Sequence, residues 1–167
     1  MESPMPTQQS SGLNKDGSAS SRPDDAVSDL MADHRKVEDL FKQYEKAGDN
    51  AEKKQRLVAQ ITHELRVHMA IEEEIFYPAS RDFVESDMVN EAEVEHQGAK
   101  TLMEELEGMS PEDEYYDAKV KVLQEQIEHH VEEEETEYFP ACRKSEMDLK
   151  GIADQMESRK AELASAA

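Results

Sequence analysis

Six side chains with the donor chemistry of a metal site recur along this chain at one fixed spacing. His34 is followed by His96 and His68 by His130, an offset of 62 residues in each case (34 to 96, 68 to 130), and Glu72 returns as Glu134 at the same offset. Pro78 and Pro140 repeat it once more. The chain therefore reads as a helical hairpin written twice, with one histidine on each first arm and a His-x-x-x-Glu pair on each second arm. Residues four apart share a helix face, so each pair presents an imidazole and a carboxylate together. Two such hairpins, folded against each other, would bring four imidazoles and two carboxylates to one pocket.

A single core histidine is ordinarily satisfied by a hydrogen bond, because burying its polar nitrogens unpaired is costly. Four of them, with two glutamates on the same faces, require a different compensation. A divalent cation would keep each imidazole neutral and ligating and each carboxylate ionised. Four nitrogens and two carboxylates, with no thiolate, exceed what one tetrahedral zinc needs. Two ions bridged by carboxylates would use all six and leave coordination positions open. That donor mixture suits non-haem iron, and manganese or zinc could enter the same set.

Helices must position these groups. From about Asp24, Val27, Leu30, Met31, His34, Val37, Phe41 and Tyr44 fall at steps of three and four, which marks one amphipathic face. Gly48 ends that helix, with Asp49 and Asn50 as turn and cap. The second helix carries Leu57, Ile61, Leu65, His68, Glu72 and Ile75 up to Pro78, where it must kink or stop. After a connection around 81–86, the third reads Val89, Ala92, His96, Ala99, Met103 and Leu106 and closes at Gly108. Ser110-Pro111 predicts the start of the fourth, an N-cap hydroxyl followed by a proline in the first turn. Its stripe runs through Tyr116, Val120, Leu123, Ile127, His130, Glu134 and Tyr138 to Pro140. Leu149, Ile152, Met156 and Leu163 predict a fifth helix, and nothing reads as a strand.

Short connections make successive helices antiparallel. The expected fold is all-α: an antiparallel up-down-up-down four-helix bundle with a short additional C-terminal helix and a disordered N-terminal tail. Residues 1–23 form the expected tail, rich in Ser, Gly, Pro and Gln and poor in large apolar groups, a composition that cannot offset the entropy of ordering. Residues 24–144 form the expected bundle, and 145–167 the C-terminal helix packed on or extending from it. At about 1.5 Å per residue, His68 and His96 lie at one depth, roughly 15 Å from the second connection. His34 and His68 differ by about one turn, and His130 reaches the level of His96 only if the fourth helix is longer or tilted.

The segments DHRKVEDLF, HMAIEEEIFYP, EHQGAK and HHVEEEETEYFP resemble the signature of the hemerythrin-like, or HHE cation-binding, family over about residues 28 to 142. The resemblance implies a four-helix bundle holding two iron ions in an oxo- or hydroxo-bridged centre. Glu72 and Glu134 would bridge the irons, and His34, His68, His96 and His130 would be terminal ligands. Oxygen-carrying members have a further histidine one turn after the third-helix histidine, where this chain has Lys100; simple reversible oxygen carriage is therefore not expected.

Lys100 is expected to point into solvent. Glu38 and Glu64 lie on the metal-facing side but read as solvated face in a chain with 40 acidic residues. His63 and His129 fall off the stripe and are expected at the surface, while Tyr44, Tyr77 and Tyr138 are expected to pack. The resemblance implies a non-haem di-iron protein that binds O2, peroxide or NO at open iron positions, for oxygen or redox binding or sensing. The alternatives are a catalase-like enzyme that decomposes H2O2, and an iron buffer or store. No residue is singled out as catalytic.

The totals narrow the partners. A chain of 167 residues is long enough for one domain with a real core. A net charge of −21 opposes nucleic acid and anionic membrane surfaces. No apolar run approaches the roughly 20 residues of a membrane span, the N-terminus lacks a secretory pattern, and the lone Cys142 cannot staple the fold. The expectation is a cytoplasmic protein, monomeric or a weak homo-oligomer, whose partner is a small ligand.

Overall fold

The computed structural model describes residues 25–166, so the tail expected at 1–23 lies outside the described residues. Helix α1, Ala26–Glu45, begins where the Asp25 carboxylate accepts the Ser28 backbone N–H at 2.8 Å, satisfying one of the free amides of the first turn. The chain reverses at Gly48, whose φ of 59° is the left-handed conformation that a residue without a Cβ adopts cheaply. Asn50 then caps α2, accepting the Lys53 N–H at 3.1 Å.

Helix α2, Ala51–Ile71, neither stops nor simply kinks at Pro78. It widens into a π-helical segment, Glu72–Phe76, and resumes as an α turn, Tyr77–Ser80. Pro78 has no N–H and its ring crowds the carbonyl four residues back. The Tyr77 N–H bonds the Glu72 carbonyl five residues back, which absorbs the defect by adding one residue to the turn. Pro140 produces the same result: α4, Tyr116–Glu133, passes into a π segment, Glu134–Tyr138, and a turn Phe139–Lys144, with the Phe139 N–H on the Glu134 carbonyl. Each glutamate of the repeat thus opens a π segment, a feature that recurs at functional sites.

Helix α3, Ser86–Glu107, ends at Gly108. The next helix does not open at Ser110-Pro111, as the sequence predicts. The Ser110 hydroxyl accepts the Glu112 N–H at 3.3 Å, Asp113 accepts the Ser110 N–H at 2.8 Å, and the Tyr116 N–H bonds the Asp113 carbonyl. The two side-chain bonds are those of a reciprocal capping pair, but the turn they close at 110–113 is not continued, and α4 starts at Tyr116. His130 is then 14 residues into α4 while His96 is 12 before Gly108, a difference of about 3 Å in depth. The late start brings the two to one level, so no longer or tilted helix is needed.

The fifth helix, α5, Leu149–Ser165, is capped by Asp148 on the Gly151 N–H at 3.0 Å. It packs against α1, α2 and the π segment that follows α2, burying Ile152, Ala153 and Met156. All regular structure among the described residues is helical, and no helix is long and apolar enough to cross a membrane.

The bundle has two apolar cores. One gathers Val37, Phe41, Leu65, Met103, Leu123 and Ile127; the other gathers Leu30, Ile71, Phe76, Val89, Phe139 and Met156. On each arm the repeated histidines and glutamates lie where the two sets meet, Glu72 just past Ile71 of the second core, so burial of both cores fixes the depth of one polar layer. Each large side chain buried contributes about 1.5–3 kcal/mol, comparable with one hydrogen bond to a charged group, and the two cores hold many of them.

Candidate metal centre

The fold brings all six repeated residues together and buries them, with exposures from 0% for Glu72 to 5% for His68. His34 faces His68 with ring centroids 4.9 Å apart, and His96 faces His130 at 4.8 Å. Every Nε2 points inward. His68 Nε2 lies 3.0 Å from Glu72 Oε1, and His96 Nε2 lies 3.0 Å from Glu72 Oε2. His130 Nε2 is 2.8 Å and His34 Nε2 3.5 Å from Glu134 Oε1.

Within this layer two groups of donors converge closely enough to hold a cation: His34, His68, Glu72 and Glu134 in one, and Glu72, His96 and His130 in the other; a third group among the described residues, Glu95, His129 and Glu133, lies at the surface. Glu72 belongs to both groups of the layer. Four buried atoms of this layer, His34 Nε2, His68 Nε2, Glu72 Oε1 and Glu134 Oε1, have no hydrogen-bond partner. Buried polar atoms are almost always paired. All four belong to the first group, and imidazole nitrogen with carboxylate oxygen is the donor chemistry of a transition-metal cation, so the residues fit such an ion.

The opposite edge of each ring is also held. His34 Nδ1 is 2.7 Å from Glu135, His68 Nδ1 3.1 Å from Asp33, His96 Nδ1 3.2 Å from Glu73, and His130 Nδ1 3.1 Å from Glu95. An ionised carboxylate only accepts, so each Nδ1 donates and each Nε2 is left with its lone pair facing the centre whenever the ring is neutral. Partners of this kind fix tautomer and ring orientation in metal sites. Sequence reasoning missed them, although a signal was present: Asp33 and Glu95, and Glu73 and Glu135, are themselves 62 residues apart.

Charge in the layer is mutually compensated. Burial raises the Glu72 carboxyl, but His68 and His96 outweigh it and hold it well below the usual range. Burial and the Glu72 charge raise Glu134, and His130 and His34 bring it below. Burial disfavours a charged His68, yet Glu72 and the Asp33 bond push its pKa up to about 10. His130 is likewise raised well above its ordinary value, against burial, by Glu134 and Glu95. Without a metal, protons on the imidazoles balance the carboxylates.

Tyr77, expected only to pack, sends its hydroxyl into the layer. It donates to Glu72 Oε2 at 2.9 Å and lies 3.1 Å from His96 Nε2 and 3.3 Å from Glu134 Oε2. The residue 62 positions later is Phe139, whose ring stacks on His34 at 5.8 Å. The two halves of the centre are therefore unlike: one carries a hydroxyl, the other an apolar ring.

The remaining candidates lie away from the inward atoms. Lys100 is half-buried with its ammonium 2.7 Å from both Glu73 oxygens, bound to the carboxylate behind His96 instead of pointing into solvent. Glu38 pairs with Arg35 and Glu64 with Lys36. His63 and His129 are exposed, as expected from their register. Tyr138 packs and bonds Ser80, Tyr44 bonds Asp117, and Cys142 is buried, its thiol pushed up to about 12 by burial and the Glu134 charge.

Fold and site together define an all-helical metal-binding bundle. The chain belongs to the hemerythrin HHE cation-binding domain family, whose model matches residues 25–142. A DNA nickase of Nostoc sp. is 32% identical over 114 residues, a match that covers 68% of this chain and 32% of that protein. The chain thus matches about a third of that relative's length. The crystal structure of a hemerythrin HHE cation binding domain-containing protein from Mycobacterium kansasii superimposes with a TM-score of 0.74 at 23% identity, covering 85% of this chain and 88% of that one.

Proposed function

We propose that this chain is a non-haem di-iron protein that binds a small ligand of the size of O2, NO or peroxide. His34, His68, Glu72 and Glu134 would hold one iron and Glu72, His96 and His130 the other, with Glu72 common to both and Glu134, whose Oε1 lies 2.8 Å from His130 Nε2, as the second bridging carboxylate. The pair of irons would supply redox-active positions open to a small ligand.

The observation that carries this reading is a small cavity beside the four imidazoles. Val37, Leu65, Met69, Ile127 and Val131 line it together with the four histidines and Asp33, and its volume of about 10 Å³ is that of roughly one water-sized molecule. Aliphatic walls favour a weakly polar diatomic over anything that needs hydrogen bonds. The same walls exclude bulk water, while Tyr77 supplies one hydroxyl at the edge of the layer. The outer carboxylates keep every Nε2 aimed inward, so the donors are set before any metal arrives.

A second reading, peroxide decomposition, is favoured by one feature. A polar depression lined by Glu91, Glu95, Glu133 and Glu137 reaches His130 and Glu134 from the surface, offering peroxide and protons a route that the aliphatic cavity does not. A net charge of −21 opposes a phosphate backbone, and the Nostoc relative named a DNA nickase is matched over only 32% of its length, so neither reading includes a nucleic-acid partner.

The test is anaerobic loading with ferrous iron, metal analysis, and absorption spectra on exposure to O2, NO and H2O2. Two irons per chain, with spectral changes on O2 or NO and no sustained oxygen evolution from H2O2, would support the first reading. Sustained oxygen evolution would favour the second. Retention of fewer than two irons would refute the di-iron assignment.

A further inference from the structure

Four carboxylates stand behind the four imidazoles, and three of them are gripped in turn by a cation. Arg35 holds Glu135 and Lys100 holds Glu73, both from within the four-helix bundle. The third cation comes from elsewhere. Lys160 of α5 donates to Asp33 Oδ1, while Asp33 Oδ2 accepts from His68 Nδ1 at 3.1 Å. The far nitrogen of the same ring, Nε2, lies 3.0 Å from Glu72 Oε1. A continuous line of polar contacts therefore runs from the C-terminal helix to the shared carboxylate of the centre.

We propose that Lys160 is a positioning residue for His68, acting through Asp33, and that α5 is thereby part of the metal centre. The inference rests on the metal-binding reading above. A carboxylate bonded through one oxygen can still turn about its side-chain torsions. With the second oxygen held by an ammonium, Asp33 keeps a single orientation, and the His68 ring keeps the one that follows from it. Such partners of a ligating histidine typically govern affinity 10- to 100-fold.

The backbone that carries Lys160 is itself anchored. Met156 and Ile152 are buried about one and two turns before it, and the adjacent Arg159 grips Glu74, in the π segment opened by Glu72, at 2.7 and 3.3 Å. The ammonium is partly exposed, at 38%, and ion pairs of that kind add little to stability. Its removal should therefore disturb the position of His68 without unfolding the chain. This helix lies beyond the region matched by the family model, which ends at residue 142.

The test uses the full chain loaded with two equivalents of Co(II), with chelator-driven release followed by visible absorption and the ring N–H protons followed by paramagnetic NMR. In Lys160→Met, release of one equivalent should accelerate by about 3- to 10-fold, less than for loss of a direct partner, while the other is unchanged. The His68 Nδ1–H should exchange faster with water. Lys160→Arg should restore both, and in an Asp33→Asn background Lys160→Met should have no further effect. Lys150→Met removes the same charge from an exposed lysine of the same helix and should leave release unchanged. Unchanged or slower release in Lys160→Met, or an equal effect of Lys150→Met, would overturn the inference while the metal reading stands. A wild-type chain that retains no Co(II) would sink both.

Discussion

Loading this protein with metal should release protons, and the number follows from the layer itself. Glu72 and Glu134 are held below the usual carboxylate range, so they arrive ionised and contribute none. His68 is held at about 10 and His130 well above its ordinary value, so both are protonated at pH 7 and must give up a proton to bind an ion. For His68 alone the difference between 10 and 7 is a handicap of about 4 kcal/mol, a thousandfold in affinity. Apparent affinity should rise roughly tenfold per pH unit for each proton displaced. Calorimetric titration with Zn(II), a redox-silent probe, in buffers of different ionisation enthalpy should return at least two protons released per chain at pH 7. Zero protons released, or an affinity flat between pH 6 and 9, would show that the imidazoles are neutral before metal arrives and would refute the charge balance described here.

Four further outcomes are expected. In the metal-free protein, His68 has a folded pKa near 10 against about 6.5 unfolded, so its contribution to stability is complete below pH 6.5 and fades as pH rises toward 10. Glu72 is depressed, and its contribution is present above about pH 4.5 and fades in acid; thermal melts should therefore be highest between these limits, and a melting temperature that climbs from pH 7 to 9 would contradict the assignment. Glu72→Gln removes the carboxylate common to both donor groups, so the loaded protein should retain at most one of two equivalents by metal analysis, with its helical circular dichroism intact. Tyr77→Phe leaves Glu72 Oε2 without its hydroxyl donor and should cost about 1.5–3 kcal/mol in metal-free denaturant unfolding. Phe139→Ala empties a fully buried position stacked on His34 and should cost about 3–5 kcal/mol, measured in the same way.

Much of this protein is legible in one dimension because its chemistry is written periodically. The apolar steps around His34, His68, His96 and His130 identify four helix faces, and a histidine on an otherwise apolar face has few places to go but inward. Asn50 as a cap and Gly48 as a turn follow from side-chain chemistry within three residues, and such short-range features survive any tertiary arrangement. Ser110-Pro111 shows the limit. Its N-cap signal is genuine, and Ser110 and Asp113 make the reciprocal capping bonds, but the turn they close is not continued and the helix starts only at Tyr116. Pro78 and Pro140 mark a disruption, whereas the π widening that absorbs it depends on packing on both sides of the turn.

Side-chain type and the 62-residue repeat suffice to assign the helix faces and the six donors, because both are properties of the chain in one dimension. Tertiary structure decided the rest. The four carboxylates behind the rings share the 62-residue offset, but which ring each one serves, the Tyr77 hydroxyl set opposite Phe139, and a lysine 127 residues from its aspartate could be found only once the helices had packed. The reason is one of range: helix periodicity is enforced over a few residues, while an imidazole's outer partner is chosen by whichever carboxylate the neighbouring helix brings within about 3 Å, a distance that two apolar cores set together.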